Sequence, residues 1–196
     1  MGARKVIIST NVTLNGFMAG SHCELDWHFG YWNEEMAMYT GMQLCRADTI
    51  LLGRRTFNAM AAYWPGVTAS LCAAREEIAF AGMMNSYRKI VFSRSLQTAG
   101  WNNAVLASTT VSRTVMQLKA LPGKDMIVLG SGSIVSALMQ AGLADELALW
   151  VHPVLLDQGK RFFPPLQHSF ALQLSRVKTF GSGVTLLCYE RAPEGI

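Results

Sequence analysis

Three short segments carry the groups best suited to holding an anion. Gly53-Arg54-Arg55-Thr56 follows the apolar run Thr49-Ile50-Leu51-Leu52, and Gly130-Ser131-Gly132-Ser133-Ile134 follows Met126-Ile127-Val128-Leu129. Ser93-Arg94 follows a third such run, Lys89-Ile90-Val91-Phe92. Glycine lets backbone N–H groups come close to a bound anion, and a helix starting beside it adds partial positive charge. Arginine can clamp a phosphate at two points, while Thr56 can cap a helix or donate to the same phosphate. Two guanidinium groups at a helix start, where the helix dipole disfavours cations, make sense beside an anion. Taken alone, the Gly130 turn could be a tight strand-to-helix turn, and Ser93-Arg94 a solvated loop.

The elements around these segments decide whether they meet. β-Branched, apolar runs predict strands at 5–9, 49–52, 89–92, 105–106, 126–129 and 146–151. Helical spacing predicts helices at 32–45, around Phe57, Met60 and Ala61, and at 71–86, 110–121 and 133–141. Residues 11–26, punctuated by Asn15-Gly16 and Ala19-Gly20, read as a long loop, and Trp64-Pro65-Gly66 as a helix break. Alternating strands and helices imply a largely parallel α/β sheet. The last quarter differs: period-two alternation over 170–175, then Gly181-Ser182-Gly183 and a run at 184–189, predict an antiparallel hairpin. Ligands of open α/β sheets bind at the carboxyl ends of the strands, where all three anion-holding segments fall. One dinucleotide with an extra 2′-phosphate would occupy them together, which favours NADPH over NADH. The Gly130 segment is not a Rossmann fingerprint, because Val135 stands where the third glycine belongs.

Composition narrows the classes. A chain of 196 residues, 51% hydrophobic and 15% charged, is expected to be one globular domain spanning 1–196. A net charge of +4 without a Lys/Arg run longer than two residues fits an enzyme surface with phosphates to hold, not a nucleic-acid partner. Cys23, Cys45, Cys72 and Cys188 are scattered without C-x-x-C spacing, which fits reduced thiols in the cytoplasm. His22, Cys23 and His28 lack zinc-ligand spacing, so no metal is expected. The start, Met1-Gly2-Ala3-Arg4-Lys5, reads as the approach to a first strand, and no apolar stretch reaches membrane-spanning length.

The ordered set Leu14-Asn15-Gly16-Phe17-Met18-Ala19, Glu24-Leu25-Asp26-Trp27, Asp48 to Phe57, Tyr63-Trp64-Pro65, Val91 to Arg94, the Gly130 turn and His152-Pro153-Val154-Leu155 resembles the dihydrofolate-reductase-like superfamily. Within it, the chain is most similar to stand-alone relatives of the reductase domain of the bifunctional riboflavin-biosynthesis deaminase–reductase. The resemblance implies a three-layer α/β/α fold with a C-terminal antiparallel hairpin, usually in a homodimer. It also implies NADPH held by Gly53, Arg54, Arg55, Thr56, Ser93, Arg94, Gly130, Ser131, Gly132, Ser133 and Ile134, with the loop from Leu14 to Trp27 covering the reacting end. The activity implied resembles 5-amino-6-(5-phosphoribosylamino)uracil reductase or dihydrofolate reductase.

Three features depart from that pattern. Asn15 stands where relatives generally carry Asp; an amide can bind substrate but cannot act as a general acid. Asp157 stands where relatives often have Gly, and no His-x-Glu with Pro-Cys-x-x-Cys is present, so the zinc deaminase half is absent. On the substrate side, Trp27 could stack on a flat heterocycle or merely anchor the loop. Asp26 could accept from ring nitrogens, and the proton would come from Asp26 or from water. The expectation is hydride transfer to a small polar heterocycle or to an imine or carbonyl attached to one. The rival is a non-catalytic nucleotide-binding relative, favoured by the amide at Asn15.

Overall fold

The computed structural model describes residues 4–68, 73–163 and 171–192. Its main sheet has eight strands: β1 (Val6–Thr13), β3 (Ala47–Gly53), β4 (Arg88–Phe92), β5 (Ala104–Leu106), β6 (Asp125–Leu129), β7 (Glu146–His152), β9 (Leu172–Thr179) and β10 (Thr185–Arg191). Their order is β5-β4-β3-β6-β1-β7-β10-β9. The first six in that order run parallel, and β10 pairs antiparallel with both β7 and β9. Two short strands, β2 (Phe17–Ala19) and β8 (Lys160–Arg161), form a separate antiparallel pair.

Helices cover both faces because the central strands are apolar on both. Val6, Ile8, Leu51 and Val128 face one core, which α5 (Val111–Lys119) closes with Val115 and Leu118, and α6 (Gly132–Gln140) with Ile134 and Leu138. Ile7, Ile50, Leu52 and Ile127 face the opposite core, filled by Leu44 of α2 (Glu34–Cys45), Phe57 of α3 (Arg54–Val67) and Met84 of α4 (Arg75–Ser86). Met36 of α2 also packs with Trp150, Phe180 and Leu186 beneath the C-terminal strands. Full burial of an aliphatic side chain is worth about 1.5–3 kcal/mol, so these two cores hold the layers together. The result is the three-layer α/β/α arrangement with a C-terminal hairpin expected from the sequence.

Several local expectations change. Residues 11–26 are not one loop: β1 continues to Thr13 and β2 follows. The polar residues that looked like loop are satisfied inside the sheet. His152 Nε2 lies 3.0 Å from Asn11 Oδ1, and Thr13 Oγ1 accepts from Phe17 N at 3.0 Å. A four-residue helix, α1 (Asp26–Phe29), precedes α2, whose N-cap Asn33 accepts from Met36 N. Helix α3 runs through Pro65 to Val67 instead of breaking. Proline forfeits one backbone hydrogen bond there, and Asn85 Nδ2 donates to the Trp64 carbonyl in the same turn at 3.1 Å. In β9 the two-residue period stops at a bulge, where Cys188 faces Arg176 but Tyr189 faces Leu174. Leu71 and Cys72 of the third predicted helix, Phe170 of the hairpin, and Met1 to Ala3 lie outside the described residues.

Candidate active site

The carboxyl ends of β4, β3 and β6 lie side by side, so the three anion-holding segments meet at one edge of the sheet. Gly53 and the Gly130 turn touch: Gly53 N donates to Ser131 Oγ at 3.1 Å. A Cβ on Gly53 would sit 3.6 Å from both Ser133 Oγ and Ile134 Cγ1. The Ser131 hydroxyl therefore joins the two turns. Gly130 and Ser131 are both left-handed, at φ +67° and +55°, which swings the chain sharply from β6 into α6. Ser131 makes no side-chain cap bond to α6, so Gly132 and Ser133 begin the helix with N–H groups that helical geometry leaves without intrahelical acceptors. Met18 of β2 lies over this turn, and a Cβ on Gly132 would come within 2.8 Å of its sulfur.

The two arginines diverge. Arg54 Nη1 donates to Ser95 Oγ at 2.6 Å, tying the β3 turn to the loop after β4. In that loop Ser93 Oγ accepts from Ser95 N and Leu96 N. Arg55 reaches the other way, with Nη1 3.5 Å from Cys23 Sγ, where Lys160 also contacts the thiol. The Lys160 ammonium, then the Arg55 guanidinium, holds the Cys23 thiol below its ordinary pKa. Arg54, Arg55 and Arg94 are exposed and Thr56 is half-buried. The edge thus presents separated cations flanking two helix starts, a donor set that fits the separated phosphates of a dinucleotide.

Asn15, the substrate-side candidate, is held by three hydrogen bonds. Its Nδ2 donates to the Leu156 carbonyl at 2.7 Å, and its Oδ1 accepts from Leu156 N at 3.3 Å and from Thr13 Oγ1 at 2.8 Å. This amide-to-peptide clamp needs both a donor and an acceptor, which a carboxylate cannot provide. It fixes the segment after β7 against the β1–β2 turn. Beside it opens a cavity of about 380 Å³, walled by Glu24, Asp26, Trp27, Leu156, Asp157 and Gln158. Asp26 and Trp27 therefore line the same cavity, and Asn15 holds Leu156, another of its lining residues.

Sequence reasoning weighed His28 only as a metal ligand and His152 only as part of a motif, and gave neither a place in the site. His28 is 9% exposed and His152 fully buried, and both pack edge-on against Trp27. Burial, then repulsion from the neighbouring His28 where that ring is protonated, pushes His152 down to about 4, and burial lowers His28 as well. Both rings are neutral near pH 7. A histidine closing the apolar run of β7 was the available signal. Among the described residues no group of three or more His, Cys, Asp or Glu could hold a metal ion, and no helix is long and apolar enough to cross a membrane.

Known proteins share this architecture. A protein of Bacillus subtilis (strain 168), YyaP, whose function is uncharacterized, is 33% identical over 186 residues, covering 95% of this chain and 94% of its own. The crystal structure of a putative riboflavin biosynthesis protein from Shewanella sp. PV-4 superposes with a TM-score of 0.75 at 18% identity, covering 96% of this chain and 99% of that one. Dihydrofolate reductase from Enterococcus faecalis, in complex with NADP(H), superposes with a TM-score of 0.60 at 14% identity, covering 96% and 97%. The two structures establish the shared fold. Residues 4–186 match the RibD C-terminal domain, and the chain belongs to that family.

Proposed function

We propose that the chain is an NADPH-dependent reductase that passes hydride to a small, planar, polar heterocycle or to an imine or carbonyl attached to one. The observation that carries this reading is the convergence of the Gly53, Ser93 and Gly130 turns on one sheet edge, which the Arg55–Cys23 contact joins to the segment whose Asp26 and Trp27 wall a cavity. NADPH, when bound, supplies the hydride; the protein binds, orients and excludes water. Arg54, tied to Ser95 and next to Arg94, suits the adenosine phosphate side. The uncapped start of α6, with Gly132 and Ser133, suits the pyrophosphate. Trp27 offers a flat face to the acceptor, and the exposed Asp26 carboxylate stands where it can exchange a proton with it.

A non-catalytic nucleotide sensor was suggested by the amide at Asn15. The clamp to Leu156 accounts for that amide structurally, so the residue no longer favours a silent site. Reduced thiols at Cys23, Cys45 and Cys188 suit a reducing cytoplasm, and we extend the family expectation of a homodimer to this chain. Calorimetry with NADPH and NADH tests the reading: tighter binding of NADPH is expected, and equal affinity for the two would refute the phosphate assignment.

A further inference from the structure

Side chains from three separate parts of the chain meet at the segment between β2 and α1. There the Cys23 thiol accepts from the Lys160 ammonium of β8, and Arg55 Nη1 of α3 lies 3.5 Å from the same sulfur. The thiol is exposed, and Cys23 stands at φ +74°, a left-handed conformation uncommon outside glycine. Among the described residues neither cation forms an ion pair with a carboxylate. Glu24 turns its Oε2 to the His22 N–H at 2.7 Å, and Lys160 favours that carboxylate from beyond ion-pair range. A thiolate at Cys23 offsets one of the two cations and leaves the other for an incoming anion.

Cations in contact with a thiol favour the thiolate, the form that attacks disulfides. The same two cations attract any carboxylate that a disulfide carries, so both effects act at one atom. Cys45 supplies the contrast: it is also exposed, but its Sγ donates to the Met83 thioether at 3.6 Å. Cys188 is buried.

We propose that Cys23 is a modification site for small disulfides that carry carboxylates. The thiolate attacks one sulfur of the disulfide, and a bond forms between Cys23 Sγ and that sulfur as the original S–S bond breaks. The departing thiolate takes a proton from water; Cys23 is oxidised and the incoming disulfide reduced. The group left on Cys23 lies against Arg55 and Lys160. That it withdraws Arg55 from NADPH rests on the reductase reading; that Cys23 reacts does not.

The test treats the reduced full chain with 5,5′-dithiobis(2-nitrobenzoate), which carries two carboxylates, or with cystamine, which carries two ammonium groups. Peptide mass mapping after timed quenching gives the rate at each cysteine. Cys23 should react with the carboxylate reagent at least tenfold faster than Cys45, and that advantage should shrink at least fivefold with cystamine. Lys160→Met should slow Cys23 at least threefold and leave Cys45 within twofold of wild type. Cys23 that reacts no faster than Cys45, or that keeps its full advantage with cystamine, overturns the proposal. The wild-type rates decide even if Lys160→Met does not fold. Modification should weaken NADPH binding at least tenfold, reversibly on adding a thiol reductant, and should do so in wild type but not in Cys23→Ser. If Cys23 reacts selectively while NADPH affinity stays unmoved, the modification site stands and Arg55 leaves the cofactor site.

Discussion

The buried imidazole of His152 makes the protein acid-sensitive by an amount that can be worked out. An ordinary imidazole titrates at 6.5, and burial, reinforced by His28, pushes this one down to about 4. The folded chain therefore releases its proton more readily than the unfolded chain. Between those two values the unfolded state binds more protons, so stability is complete above 6.5 and is lost as pH falls through 4. At 1.36 kcal/mol per pH unit, the full loss is roughly 3 kcal/mol, and at pH 4.5 roughly 2.5 kcal/mol of it has gone. His152 is 0% exposed, so no solvent-screening discount applies. Against a typical stability of about 5–15 kcal/mol, that is a large fraction. Urea unfolding near pH 7 and near pH 4.5, followed by tryptophan fluorescence, measures the loss in wild type and in His152→Phe. Phenylalanine keeps the ring contacts with Trp27 and Tyr31 and removes the titration. Carboxylates contribute equally to both proteins and cancel in the comparison. The variant should lose about 2 kcal/mol less than wild type over that interval; equal losses would refute the account of a neutral, buried His152.

Other perturbations follow from single contacts. Arg54→Ala and Arg55→Ala should each weaken NADPH binding about tenfold, because one charge-assisted phosphate contact is worth about 1.5–3 kcal/mol and these side chains are exposed; calorimetry showing neither effect would remove both from the cofactor site. Asn15→Asp should lower stability by about 1–2 kcal/mol without raising activity, since a carboxylate would face the Leu156 carbonyl in place of the Nδ2 donor; thermal melts and an NADPH-oxidation assay read both. Lys89 is fully buried over Trp101 and pushed down to about 8 by burial, so stability should rise between about pH 8 and 10.5 as the folded chain no longer carries the charge. Lys89→Met should flatten that rise in urea titrations across the interval. Asn85→Ala should cost about 1–3 kcal/mol in denaturant unfolding, because Trp101 Nε1 loses its acceptor and the Trp64 carbonyl its donor.

The fold was legible where one local signal sufficed. Apolar runs such as Ile50-Leu51-Leu52 are buried on both faces, and their strand-to-helix alternation specifies parallel pairing almost unaided. It was illegible where the deciding partner lies far along the chain. Asn11 and Thr13 looked like loop residues because polar side chains in a central strand are costly. Asn11 is nevertheless satisfied by His152, 141 residues later. Pro65 looked like a stop, yet Asn85 supports the turn around it from another helix. The bulge in β9 hid in a sequence whose alternation changes phase between Leu174 and Val177, which pair with Tyr189 and Leu187 on one face of β10.

The candidate site divides along the same line. Glycines and arginines at strand ends announce themselves by type, and the sheet order brings Gly53, Ser93 and Gly130 to one edge. What each side chain does there depends on register. Ser131 is occupied by Gly53 N, Arg54 and Arg55 turn apart, and Asn15 spends both ends of its amide on Leu156. Pairing β1 with β7 so that Thr13 faces His152 sets the imidazole where α1 closes over it, placing His28 and Trp27 against it. A one-residue slip would turn His152 to the other face of the sheet and dissolve the cluster. Its unsatisfied nitrogens are thus a consequence of tertiary register, and no local sequence signal announces them.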